Sequence, residues 1–171
     1  MKRTNCFLNS ACRGDGAKPV RVVDTAGPIT WGCGDRFGYS VDSKAGSAGS
    51  FVEWLFDLSD VAGVEMVFSC EIGYIGAYAA RGEVIQILGE DGVTLASIPS
   101  HKPDQREQLL RFTVPADGRV YIRFRGPQAY TEGTATLAVY EPQLETAATY
   151  DARGDTPKYF NGNTYPRNSG A

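Results

Sequence analysis

The side chains in this sequence best suited to handling a ligand are aromatic and basic ones rather than nucleophiles. Trp31 stands between turn-forming residues in Thr30-Trp31-Gly32-Cys33-Gly34, where an exposed indole offers a flat stacking platform. Tyr74, Tyr78 and Tyr130 lie in or beside loop-like stretches and offer the same chemistry. Tyr121, Arg123 and Arg125 alternate with apolar residues, so they share the outer face of a strand, with Arg111 and Glu71 expected beside them. A surface of Tyr, Arg and Glu can hydrogen-bond a hydroxylated ligand. Its plainer reading, preferred here, is a solvated sheet face laced by cross-strand ion pairs. From this face Tyr121 and Arg123 join Trp31, Tyr74 and Tyr78 as ligand-binding candidates.

Catalytic chemistry has little support. His101 is the single histidine and sits in a polar stretch, Ser100-His101-Lys102-Pro103. The chain has no Gly-x-Ser-x-Gly elbow and no His-Glu-x-x-His helix. Glu65/Glu71 and Asp57/Asp60 imitate glycosidase carboxylates, but 20 acidic residues supply such pairs in any β protein. No enzyme and no cofactor are expected. A structural Ca²⁺ on Glu90-Asp91-Gly92 or Asp57/Asp60 is the one metal alternative, although turn formation explains both strings. Cys6, Cys12, Cys33 and Cys70 match no zinc or redox spacing. With no signal peptide expected from the Met1-Lys2-Arg3 opening, the thiols are read as reduced, Cys6–Cys12 being the alternative link. Arg-Gly-Asp occurs twice, at Arg13–Asp15 and Arg153–Asp155; both read as loops whose glycine supplies a positive φ.

The elements that must position these groups are strands. Val52, Trp54, Phe56 and Leu58 alternate against Glu53 and Asp57; Val64, Met66, Phe68, Cys70, Ile72 and Tyr74 alternate against Glu65, Ser69 and Glu71. This pattern makes Trp54 a core residue. Glu83 to Leu88 and Val93 to Ile98 flank Gly89-Glu90-Asp91-Gly92, a hairpin signal. Leu109 to Val114 and Val120 to Arg125 flank Pro115-Ala116-Asp117-Gly118, and Ala135 to Leu144 closes the series. Val20 to Val23, Ile29 to Trp31 and Phe37 to Val41 are weaker strands, while Asp104 to Leu110 holds at most one or two helical turns. Eight to ten short strands with a buried and a solvated face predict an all-β fold, a two-layer sandwich or a barrel, and the two-layer antiparallel β-sandwich is the reading adopted.

Bulk properties narrow the partners. At 171 residues one domain is expected, residues 1–145, followed by an extended tail, 146–171. The tail is rich in small and polar residues and has Tyr150, Tyr159, Phe160 and Tyr165 as anchors. Too polar to bury much alone, it is expected to dock on the domain or a neighbouring chain through Tyr159, Phe160 and Tyr165. A net charge of −3 with no concentrated basic surface argues against nucleic acid, and no apolar run is long enough for a membrane span.

Several strings carry a family resemblance. Arg3-Thr4-Asn5-Cys6-Phe7-Leu8-Asn9 is similar to the opening of jelly-roll modules in bacteriophage minor tail proteins. Val64 to Ser69 resembles an apolar strand of those modules, and Leu109 to Val114 resembles another that follows a tryptophan absent here. Val139-Tyr140-Glu141-Pro142-Gln143-Leu144-Glu145, with Pro157-Lys158-Tyr159-Phe160-Asn161-Gly162-Asn163-Thr164, is similar to the family's ending. Asn161 and Asn163 stand where that ending carries acidic residues, so no calcium site is carried over. The resemblance implies a carbohydrate-binding-module-like jelly roll in a virion, made in the host cytoplasm. It would serve as a minor tail or tail-tip structural protein, with other virion proteins as partners, a homo-oligomeric assembly and contact with host surface polysaccharide. The alternatives are a capsid decoration protein that stabilises the head, or a soluble glycan-binding module.

Overall fold

The computed structural model describes residues 3–7, 19–23, 25, 29–33, 36–43, 49–76, 78–79, 84–98, 107–126, 128–129, 135–155 and 164–165. Its elements run β1 (Arg3–Thr4), β2 (Arg21–Val23), β3 (Ile29–Cys33), β4 (Arg36–Ser43), β5 (Phe51–Asp57), a 3₁₀ turn (Ser59–Val61), β6 (Glu65–Gly76) and β7 (Tyr78–Ala79). Then follow β8 (Ile85–Gly89), β9 (Thr94–Ile98), β10 (Glu107–Thr113), β11 (Arg119–Arg125), β12 (Gln128–Ala129), β13 (Ala135–Thr146), helix α1 (Ala147–Asp151) and β14 (Thr164–Tyr165).

Two antiparallel five-stranded sheets form the sandwich, ordered β10-β6-β13-β4-β3 and β2-β5-β11-β8-β9. The chain crosses between them repeatedly, giving the sandwich that fits the period-two pattern and the jelly roll that the resemblance implies. Met66, Phe68, Cys70 and Ile72 from the first sheet meet Val52, Trp54, Phe56, Val120, Ile122 and Phe124 from the second in one buried core. Trp54 is 1% exposed, as its alternation demands. Gly118, at φ +71°, closes the β10–β11 turn where a Cβ would stand 2.4 Å from the Ser59 Cα, so only glycine fits.

The N-terminal segment is the keystone of this core. Phe7 is fully buried, its ring centroid 5.2 Å from Phe56, 5.9 Å from Trp54, 6.1 Å from Phe68 and 6.2 Å from Tyr39 and Phe124. What anchors it is a bulge in β13. Tyr140 pairs with Glu71 and Gln143 with Ser69, so β13 carries one extra residue, and Glu141 takes a positive φ of 50°. The pairing of β13 with β4 ends at Tyr140, and beyond it Asn5 takes up backbone groups of Pro142, in the bulge, and of Leu144, past it. Its Nδ2 donates to the Pro142 carbonyl, and its Oδ1 accepts from the Leu144 and Phe7 amides. Next to it Arg3 donates through Nε and Nη2 to the two oxygens of Glu145, at 2.8 and 2.5 Å, with both side chains 1% exposed.

Four expectations need correction. Val64 does not face the core but is 39% exposed, because the strand begins after it. Glu107 to Leu110 belong to β10 rather than to a helical turn, since pairing with β6 outweighs weak local propensity. Residues 147–151 of the expected extended tail form a short helix. Thr146 caps it by accepting from the Thr149 amide, and Ala147 and Tyr150 pack on Val67. Arg111 and Glu71 lie in the first sheet, opposite the one that carries Tyr121 and Arg123; Arg111 instead pairs with Asp151 of α1 and with Glu65.

Candidate ligand-binding face

The outer face of the second sheet gathers polar groups because β11 alternates strictly. Val120, Ile122 and Phe124 are fully buried while Tyr121, Arg123 and Arg125 point outward and are half-buried. Register then lines up a row across all five strands. Arg21 of β2 pairs with Glu53 of β5, Glu53 with Arg123 of β11, Arg123 with Gln86 of β8, and Gln86 with Ser97 of β9. The next row places Tyr121 between Leu55 and Leu88.

These rows line a cleft of about 180 Å³, bounded by Arg21, Glu53, Leu88, Gly89, Glu90, Gly92, Tyr121 and Arg123. Its floor is Leu88 and the Tyr121 ring. On one side the Glu53 carboxylate, 2% exposed, accepts from Arg123 Nε at 2.7 Å and lies 2.6 Å from Nη2, both contacts falling on Oε2. The other carboxylate oxygen is 3.6 Å from Arg21, whose side chain is 57% exposed. Both guanidiniums lie over the Phe51 ring, Arg123 at 4.3 Å and Arg21 at 5.3 Å. On the other side the Tyr121 hydroxyl donates to Glu90 at 2.6 Å, and Arg119 pairs with the same carboxylate at 3.1 Å. The Glu90 bond pushes the Tyr121 phenol above its ordinary range, so it stays a protonated donor at neutral pH. Beyond the Gly89–Gly92 turn lies a second hollow of about 350 Å³, lined by Val93, Leu95, Pro115, Asp91 and Asp117.

Of the sequence candidates, Tyr121 and Arg123 meet in this cleft. Trp31 lies mid-strand in the edge strand β3, paired with Gly38, and Tyr74 lies in β6, paired with Leu137. Both are therefore strand residues of the first sheet rather than loop platforms. Tyr78 pairs with Ala129 in a separate two-stranded ribbon. Tyr130, Tyr159, Phe160, His101 and the Arg13–Asp15 string lie outside the described residues; Tyr165 pairs through its backbone with Arg3. The second Arg-Gly-Asp is a turn, with Gly154 at φ +53° and Arg153 stacked 3.9 Å over Tyr150.

Two of the carboxylates weighed as calcium ligands, Asp91 and Asp57, serve turns. Asp91 accepts from the Val93 amide and Asp57 from the Ser59 amide. Among the described residues no three His, Cys, Asp or Glu side chains gather as metal ligands would. Cys6 and Cys70 are free thiols, and burial pushes both upward, away from the reactive thiolate. Arg21, Glu53 and Glu90 are not among the sugar-binding candidates of the sequence; Glu53 appears there as the acidic residue opposite the apolar face of β5, and Glu90 only within the Gly89–Gly92 turn.

No protein-family model matches the chain, and no curated protein is similar to it. Solved structures are. The N-terminal cellulose-binding domain of Cellulomonas fimi β-1,4-glucanase C is 18% identical, with 64% of this chain and 78% of that one covered, at a TM-score of 0.42. A carbohydrate esterase of the Shiga toxin-encoding bacteriophage phi24B is 10% identical over 84% of this chain and 99% of that one, at 0.43. Tailspike protein 4 of bacteriophage CBA120 is 13% identical over 64% of this chain and 15% of that one, at 0.44. What the cleft can recognise has to follow from its own side chains.

Proposed function

We propose that this domain is a non-catalytic glycan-binding module whose site is the cleft on the outer face of the second sheet. One observation carries the reading. An apolar floor of Leu88 and Tyr121 lies between two polar walls, Arg21–Glu53–Arg123 and Glu90–Arg119. A sugar ring has the complementary shape, a C–H face bordered by hydroxyls that both donate and accept. The walls supply both partners, guanidinium N–H groups and carboxylate oxygens, and all but Arg21 are held in hydrogen bonds before a ligand arrives.

The test is affinity electrophoresis and glycan-array binding of the wild type and of Tyr121→Ala. Loss of at least roughly tenfold in affinity, about 1.4 kcal/mol, with an unchanged unfolding midpoint is the expected result. Equal binding by the variant, or no binding across the array, overturns the site.

The setting we propose for the module is a phage virion, as a minor tail or tail-tip component. The support is the similarity of Arg3–Asn9 and of Val139–Thr164 to phage tail modules. In that setting the stretch with Tyr159 and Phe160 is the part offered to neighbouring copies. Immunogold labelling of virions checks this. Label at the tail tip supports it, label over the head turns the role into capsid decoration, and unlabelled particles leave a soluble module.

A further inference from the structure

The two guanidiniums beside Glu53 are not equivalent. Arg123 makes two short contacts to one carboxylate oxygen and is 20% exposed. That pairing balances the buried negative charge. Arg21 is 57% exposed and stands 3.6 Å from the other oxygen, beyond hydrogen-bond reach, its remaining interaction being with the Phe51 ring. The second wall is balanced in turn, since Glu90 already takes Arg119 and the Tyr121 hydroxyl. The lining holds two cations, Arg21 and Arg123, and two anions, Glu53 and Glu90. Each carboxylate already has a closer partner, Arg123 on Glu53 and Arg119 on Glu90, so the N–H donors of Arg21 are the uncommitted ones.

The aromatic rings of this face add a second constraint. Phe51 is covered by both guanidiniums, so its ring cannot also receive a sugar face. The Tyr121 ring is half-buried between Leu55 and Leu88. Stacking on this floor is therefore limited, and discrimination falls to charge and hydrogen bonding. A carboxylate matches a guanidinium in bidentate geometry, and a charge-assisted bond is roughly twice as strong as a neutral one.

We infer that the cleft selects an acidic glycan and that Arg21 binds the carboxylate of a uronic acid residue. This inference rests on the glycan-binding reading of the same cleft and names its ligand class. Glu53 and Arg123 hold the hydroxylated part of the ligand in position; Arg21 supplies the charge selection. β2 is an edge strand among the described strands of its sheet, and the Arg21 side chain is 57% exposed there.

The experiment compares polygalacturonate, alginate and hyaluronate, each beside its carboxyl-reduced form, by isothermal titration at low and moderate salt. The wild type, Arg21→Gln and Arg21→Lys are run together. The expected result is that at least one acidic polymer binds, that carboxyl reduction weakens it by about tenfold or more, and that added salt weakens it further. Arg21→Gln should lose the preference, binding the acidic and reduced forms alike, and Arg21→Lys should keep part of it. Equal binding of acidic and reduced polymers by the wild type overturns the inference while leaving the glycan-binding reading intact. An acid preference that survives Arg21→Gln overturns the assignment of Arg21. Failure of all six polymers to bind overturns the acidic-ligand inference, and the glycan array then decides the broader reading separately. Arg21 is an exposed edge residue, so its substitution is expected to leave the fold unchanged, checked by the thermal midpoint.

Discussion

Two arginine–glutamate pairs in this molecule have equally hidden carboxylates and different surroundings. Glu145 is 1% exposed and is met by the equally buried Arg3 in a closed, two-pronged pair. Glu53 is 2% exposed and is met by Arg123 on one oxygen, with Arg21 left 57% exposed beyond the other. The first pair is finished: every strong donor aimed at it has a partner, and it lies beside the Asn5 contacts that hold Phe7 in the core. The second has a cation in excess, facing an open cleft. Burial of a carboxylate thus does not separate a structural clamp from the ligand site proposed above. What differs between the two is the uncommitted donor beside Glu53.

The comparison can be broken first at its larger end. Arg3→Ala should destabilise the domain by about 3–5 kcal/mol, because Glu145 is left as an uncompensated buried charge. Pairing Arg3→Met with Glu145→Leu should recover most of that loss, since an apolar pair of similar volume removes the charge as well. Urea unfolding of the three proteins measures both effects. An Arg3→Ala loss below about 1 kcal/mol would sink the clamp. Next in size, Glu53→Gln should cost about 1.5–3 kcal/mol through its charged hydrogen bonds to Arg123, whereas Arg21→Gln should stay within about 0.5 kcal/mol. A large Arg21 effect would show that its charge is already committed to the fold.

The smallest effect lies on the other outer face. Arg111 and Asp151 tie α1 to the first sheet, and the hydrogen bonds and charge of Arg111 hold the Asp151 carboxyl below its ordinary value. A depressed folded-state pKa contributes stability above the unfolded value near 4 and loses it as pH falls through the folded value. Amide protection factors of the Thr149 and Tyr150 region, exchange rates corrected for their intrinsic pH dependence, should therefore fall on acidification below about pH 4, and Asp151→Asn should abolish that fall. Unchanged protection across this range would remove the tie from the account of α1.

The strand pattern was legible because alternation reports burial directly. Trp54, Phe56, Ile122 and Phe124 declare themselves as core wherever the strands end up, and Gly154 declares its turn by needing a positive φ. Phe7 did not declare itself, because its segment has no periodicity and its burial depends on a bulge in β13, 136 residues away along the chain by the Asn5–Glu141 spacing. Val67 was equally opaque. Alternation assigns it to the solvent side of β6, yet α1 folds back to cover it.

The candidate site was half legible. Tyr121 and Arg123 could be put on an outer face from β11 alone, since two residues on one strand share a face by geometry. Their expected neighbours, Arg111 and Glu71, were the wrong ones, and their true neighbours, Arg21, Glu53 and Glu90, lie on strands or turns far away in sequence. The chain's order by itself determined which residues point inward and which outward, because side-chain direction follows from a local two-residue repeat. Only the tertiary structure decided which outward residues stand together, because strand order and register are set by long-range pairing that no local pattern encodes.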